Sequence, residues 1–146
     1  MLLGGLLLTR RFRLAVWEGL DLSPSGHWRA PVLSGTVDPD AGPVLVTVEY
    51  RVLPENAAAF VAAMEDVGRV RRRDGGITWG LYQDTGDPDR YLETFVSESW
   101  GEHMRQHARA TMADRRTEAR ARSFHSGDTA PIVSHTIHVP MGGHRG

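Results

Sequence analysis

Pro43-Val-Leu-Val-Thr-Val-Glu-Tyr-Arg51, followed by Val52-Leu-Pro-Glu-Asn-Ala-Ala-Ala-Phe-Val-Ala-Ala-Met-Glu-Asp-Val-Gly-Arg-Val-Arg-Arg-Arg-Asp-Gly-Gly76, decides the fold. The first part is rich in β-branched residues and alternates, so it reads as a strand. At Leu53-Pro54-Glu55-Asn56 the period changes. Proline suits the first helical position and Glu55 suits the positive end of the helix dipole. Ala57, Phe60, Val61, Met64, Val67 and Gly68 then recur at the three- and four-residue spacing of one helix face. Arg69 and Arg71-Arg72-Arg73 fill the last turns, where cations are favoured, and Gly75-Gly76 ends the helix. That placement accounts for the arginine run without a phosphate partner.

Working outward, Ile77–Gln83 and Arg90–Val96 alternate as two further strands, joined by the turn formers Asp84-Thr-Gly-Asp-Pro-Asp89. Ser97-Glu98-Ser99 caps a second helix, whose face carries Trp100, His103, Met104, His107 and Thr111. Residues 114–122 are polar nearly all round, with Glu118 and Arg122 spaced as an i,i+4 pair, and read as a solvated helix or a mobile extension. Ile132–Val139 is a fourth strand, and residues 141–146 read as a disordered tail. The order β-α-β-β-α-β over residues 43–140 makes an α+β, ferredoxin-like domain. Two helices cover one face of its antiparallel sheet. Apolar side chains fall on both faces of the strands, so the second face is expected to pack on another copy, giving a homodimer.

Residues 15–42, rich in proline and glycine, read as a linker. Trp17, Leu20, Leu22 and Trp28 are too apolar for a free tether and are expected to dock on a surface. The run Leu2–Leu8 followed by Arg10, Arg11 and Arg13 has its charge after the apolar part, the reverse of a secretory signal. It is also far shorter than the ~20 apolar residues that cross a bilayer. Residues 1–14 therefore read as the end of a membrane helix leaving on the cytoplasmic side, with a membrane-embedded part or the membrane surface as partner.

Composition excludes several functions. Net charge is −1, so nucleic acid is not an expected partner. There is no cysteine, hence no disulfide, thiolate nucleophile or zinc–thiolate site. All 17 basic residues are arginine, which rules out Schiff-base chemistry and a P-loop lysine. No Gly-rich nucleotide loop, nucleophile elbow or triad is present.

Gly42–Arg51, Arg71-Arg-Arg-Asp-Gly75, Trp79-Gly-Leu-Tyr82, Tyr91-Leu-Glu-Thr-Phe95, Ser99-Trp100, His103 and Gln106-His107 together resemble the C-terminal domain of a bacterial transporter family. This is the major-facilitator group of transmembrane secretion effectors, related to enterobactin-type exporters. Leu20–Trp28 resembles the linker after the last membrane helix of that family. More distantly, through its topology and the Glu93, Trp100, His107 pattern, the domain is similar to antibiotic-biosynthesis-monooxygenase-like dimeric α/β barrels. The first resemblance implies a non-enzymatic cytosolic accessory domain, for dimerisation or ligand sensing, of an exporter that this chain cannot replace alone. The second implies a small monooxygenase without cofactor, acting on an aromatic or polyketide-like compound.

Glu93 and His107 are the candidate acid/base residues. Glu93 falls mid-strand among apolar neighbours, where a buried carboxylate needs an arginine or histidine partner. Trp79, Tyr91, Glu93, Phe95, Trp100, His103 and His107 are the candidate ligand-binding residues for a small aromatic compound; Tyr82 is a further aromatic candidate and core packing is the alternative for all of them. His103 and His107, at i,i+4, can share a metal ion, but no third ligand lies near them in sequence, so no metal or other cofactor is expected. Asn56 opens a helix and does not supply the asparagine of the haem-degrading relatives.

Overall fold

A computed structural model describes residue 31 and residues 33–142. Its element order is β1 (Val44–Arg51), a 3-10 turn (Pro54–Asn56), α1 (Ala57–Arg73), β2 (Thr78–Gln83), β3 (Arg90–Ser97), α2 (Trp100–Arg109), α3 (Met112–Arg122) and β4 (Ile132–Ile137). All pairings are antiparallel and the strand order is β2-β3-β1-β4, which is the ferredoxin-like arrangement. The proposed end of a membrane helix, Trp17 to Trp28 of the linker, and residues 143–146 lie outside the described residues. Among the described residues no helix is long and apolar enough to cross a membrane.

Strand parity builds the core. Val44, Val46, Val48 and Tyr50 of β1 are buried, and the register sets them beside Ser97, Phe95, Glu93 and Tyr91 of β3. Phe60, Met64 and Val67 of α1 pack on this face. Helix α1 ends where Gly75 takes φ 110°, a value L side chains rarely adopt, and Gly76 N donates to Arg71 O at 2.8 Å. Pro54 opens a separate 3-10 turn before α1 rather than the helix itself.

The segment 110–122 departs from the sequence reading. Thr111 does not extend α2; it caps α3, accepting from Asp114 N while Asp114 accepts from Thr111 N. Nor is α3 a solvated helix or a mobile extension. Asp114, Glu118 and Ala121 are buried against α1, and Glu118 pairs with Arg71.

The opposite sheet face carries Leu45, Thr47, Leu92, Thr94, Val96, Tyr82 and Ile132, and no helix of the described residues covers it. Leu45, Tyr82 and Ile132 are exposed there.

Candidate functional site

The functional side chains gather where α2 and the C-terminal half of α1 lie over β1, β3 and β4. Helix α2 starts cleanly because Ser99 accepts from Glu102 N at 3.1 Å. Its first two amides are taken by the preceding segment: Trp100 N donates to Ala41 O at 2.7 Å and Gly101 N to Pro39 O at 2.8 Å. Trp100 and His103 then turn inward onto Phe95 of β3, with the ring centroids of Phe95 and His103 6.2 Å apart. His107, one turn later, sets its Nε2 3.1 Å from His103 Nε2.

Strand β4 completes this wall. Its register places His135 beside Val46, which is also the partner of Phe95, so His135 points to the helix-covered side. The ring centroids of His103 and His135 are 4.9 Å apart, and those of Trp100 and His135 5.9 Å. Burial holds the His103 imidazole well below its ordinary pKa, at about 4, reinforced by the neighbouring His107 and His135. Burial also lowers His135. Desolvation disfavours an imidazolium, so His103 stays neutral near pH 7.

A second polar group lies deeper. Arg71 donates through Nε to Glu93 Oε1 at 2.9 Å and through Nη1 to Glu118 Oε1 at 2.7 Å. Trp79 Nε1 donates to the same Glu93 oxygen at 3.1 Å, and the Arg71 guanidinium stacks 4.9 Å from the Phe95 ring centroid. Burial works against the charge of Arg71, but Glu93 and Glu118 more than offset it and raise its pKa further. Burial and the Glu93 charge together push the Tyr50 phenol far above its ordinary value.

Between the two groups opens a cavity of about 630 Å3. Phe95, Trp100, His103, His107 and His135 line it, with Arg71, Glu118 and Arg122 from α1 and α3 and with Leu33 and Val37 from the segment before β1. The sequence-derived candidates therefore divide. Phe95, Trp100, His103 and His107 meet at the cavity. Trp79 and Tyr91 do not line it: Trp79 covers Gly68 of α1, and Tyr91 packs edge-on to Phe60 at 5.3 Å. Tyr82 faces out on the open sheet surface. Glu93 lies outside the cavity lining, completely buried, and its partner is Arg71. Among the lining residues that the sequence reading missed are the titratable His135, Arg71, Glu118 and Arg122. Alternation along β4 carries the signal for His135, since Val133, His135 and Ile137 share a parity.

The fold recurs in solved structures. A candidate antibiotic biosynthesis monooxygenase from Bordetella bronchiseptica is similar with a TM-score of 0.57 at 19% identity, covering 68% of this chain and 99% of its own. One from Caulobacter crescentus gives 0.59 at 17%, covering 69% and 93%, and one from Deinococcus radiodurans 0.55 at 16%, covering 70% and 99%. At such identities the likeness is one of fold. Among curated proteins nothing matches. A family model described as transmembrane secretion effector matches residues 1–142, almost the whole sequence. With an antibiotic-biosynthesis-monooxygenase-like fold and a match of that extent, the chain belongs to the family of transmembrane secretion effectors.

Proposed function

We propose that residues 43–140 form a ligand-sensing accessory domain of a major-facilitator-type exporter, working on the cytoplasmic side of the membrane and paired with a second copy of itself. The single observation that carries the sensing role is the cavity of about 630 Å3, lined by Phe95, Trp100 and the histidines. Its size lies in the range of small-molecule sites, and its lining joins Phe95 and Trp100 to three imidazoles, Arg71, Glu118 and Arg122, which suits a compact aromatic compound that carries polar groups. Binding can bias a transporter only if the ligand has different affinity for two of its states. The family match and the order of charge after Leu2–Leu8 support the membrane context.

Of the two candidate acid/base residues, His107 lines the cavity and Glu93 does not. Glu93 is committed to Arg71 and Trp79, which makes it a structural carboxylate. The second reading, a cofactor-free monooxygenase, draws on the same cavity and on the fold of the structural neighbours. Anthrone separates the two. Titrated into the full chain under nitrogen, it is expected to quench Trp100 fluorescence saturably, and Trp100→Phe should abolish that change. Admitting oxygen should then give no uptake above the uncatalysed rate. Uptake that disappears in His107→Ala would establish the oxygenase instead, and absence of any saturable binding by anthrone or salicylate would remove the sensing role.

A further inference from the structure

The sensing role uses the cavity's aromatic wall and leaves its three imidazoles without a purpose. His103 and His107 stand one turn apart on α2, and His135 reaches them from β4. One ring nitrogen from each lies within 4.8 Å of the other two, and the Nε2 atoms of His103 and His107 are 3.1 Å apart. We propose that His103, His107 and His135 bind a divalent transition-metal ion of the zinc class, with the remaining coordination position open to the cavity.

Geometry supports a tetrahedral ion. Nitrogens about 2.0–2.1 Å from such an ion lie about 3.3–3.4 Å from one another, so the closest imidazole pair is within a few tenths of an ångström of the required spacing. The widest separation is within 4.8 Å and must close by no more than about 1.4 Å. His107 and His135 are only half-buried and have room to turn. Three imidazoles with no carboxylate among them suit zinc, cobalt or nickel and not calcium or magnesium. Each ring must offer a lone pair, so the Nε2 contact between His103 and His107 gives way to the ion. Gln106, held by Ser97 Oγ at 2.9 Å, lies against the His103 ring and would orient it from behind. Three protein ligands leave a position for a water or for a Lewis-basic atom of whatever occupies the cavity.

The test uses the full chain, stripped of metal with a chelator, and Co2+ and Zn2+ alone. Calorimetry should show one ion per chain, Co2+ should give the intense visible spectrum of tetrahedral coordination, and Co2+ should quench Trp100, whose ring centroid is 5.7 Å from that of His103. His107→Gln and His135→Gln should each weaken binding about tenfold or more, whereas His138→Gln on the exposed chain end should not. Should either variant fail to fold, imidazole nitrogen NMR of the parent chain decides: Zn2+ should shift the signals of three of its seven histidines. Failure of either ion to bind, or binding that His135→Gln leaves intact, overturns the proposal and makes the cluster a packed, hydrogen-bonded stack. Because no organic ligand is added, failure here leaves the sensing role standing, and failure of anthrone to bind leaves the metal site standing.

Discussion

Arg71 holds the interior together, because one guanidinium serves carboxylates from two other elements. It reaches Glu93 on β3 and Glu118 on α3, and all three side chains are buried. Arg71→Ala would strand two carboxylates in an apolar setting, and a loss of about 3–5 kcal/mol is expected from urea unfolding. Arg71→Lys should recover little of it, since a single ammonium cannot reproduce the two-pronged contact. The role of Arg71 is partly legible from spacing. It continues the stripe Phe60, Met64, Val67 and Val70 on α1, while Arg72 lies over Trp79 and Arg73 turns to Asp114. Composition alone does not separate three consecutive arginines; their angular positions do. Gly68 gives a sharper case. A Cβ there would lie 2.8 Å from the Trp79 ring, so Gly68→Ala, which gains about 1 kcal/mol in an open helix, is expected to cost about 1–3 kcal/mol here. Thermal unfolding monitored by circular dichroism measures the sign.

At the scale of elements, α3 shows why a polar sequence can be an integral helix. Only Asp114, Glu118 and Ala121 of its eleven residues are buried, too few for an apolar stripe to announce itself. Its attachment is polar: a capping box at Thr111, Arg73 to Asp114 at 2.7 Å, and Arg71 to Glu118. Such contacts depend on side chains from distant segments, which no local pattern encodes. Thr111→Ala is expected to cost about 1 kcal/mol in urea unfolding. Burial acts to raise the Asp114 pKa, but hydrogen bonds from Arg73 and Thr111 reverse this and hold it below the ordinary 3.8. The folded state thus binds its proton less readily than the unfolded chain. The stabilisation is complete above about pH 4 and is lost as pH falls through the lowered value. In Asp114→Asn that part of the acid-induced loss should disappear, at the cost of lower stability at pH 7. The strands, by contrast, were legible almost residue by residue, since alternation is local. The parity of β4 was equally readable, but the meeting of His135 with His103 was not, because it depends on how α2 packs over the sheet.

For the whole molecule, the strand order and the two-layer build follow from the period changes near residues 52, 77 and 98. The cavity does not, because its lining comes from all three helices and from β1, β3 and β4. The bare sheet face with Leu45, Tyr82 and Ile132 exposed supports pairing with a second copy. Light scattering at micromolar concentration should give the mass of a dimer, and Leu45→Asp with Tyr82→Glu should give a monomer of unchanged helix and strand content. A monomeric parent chain would remove that pairing.

The backbone carbonyls of Pro39 and Ala41, seated on the first amides of α2, have a mechanical consequence. Those oxygens fill donors that a helix otherwise offers to water, so the rod bearing His103 and His107 is pinned at its root to the strand of chain that comes from the N-terminal side. The seat of that rod is therefore set by main-chain bonds to the incoming chain, with no side chain between them.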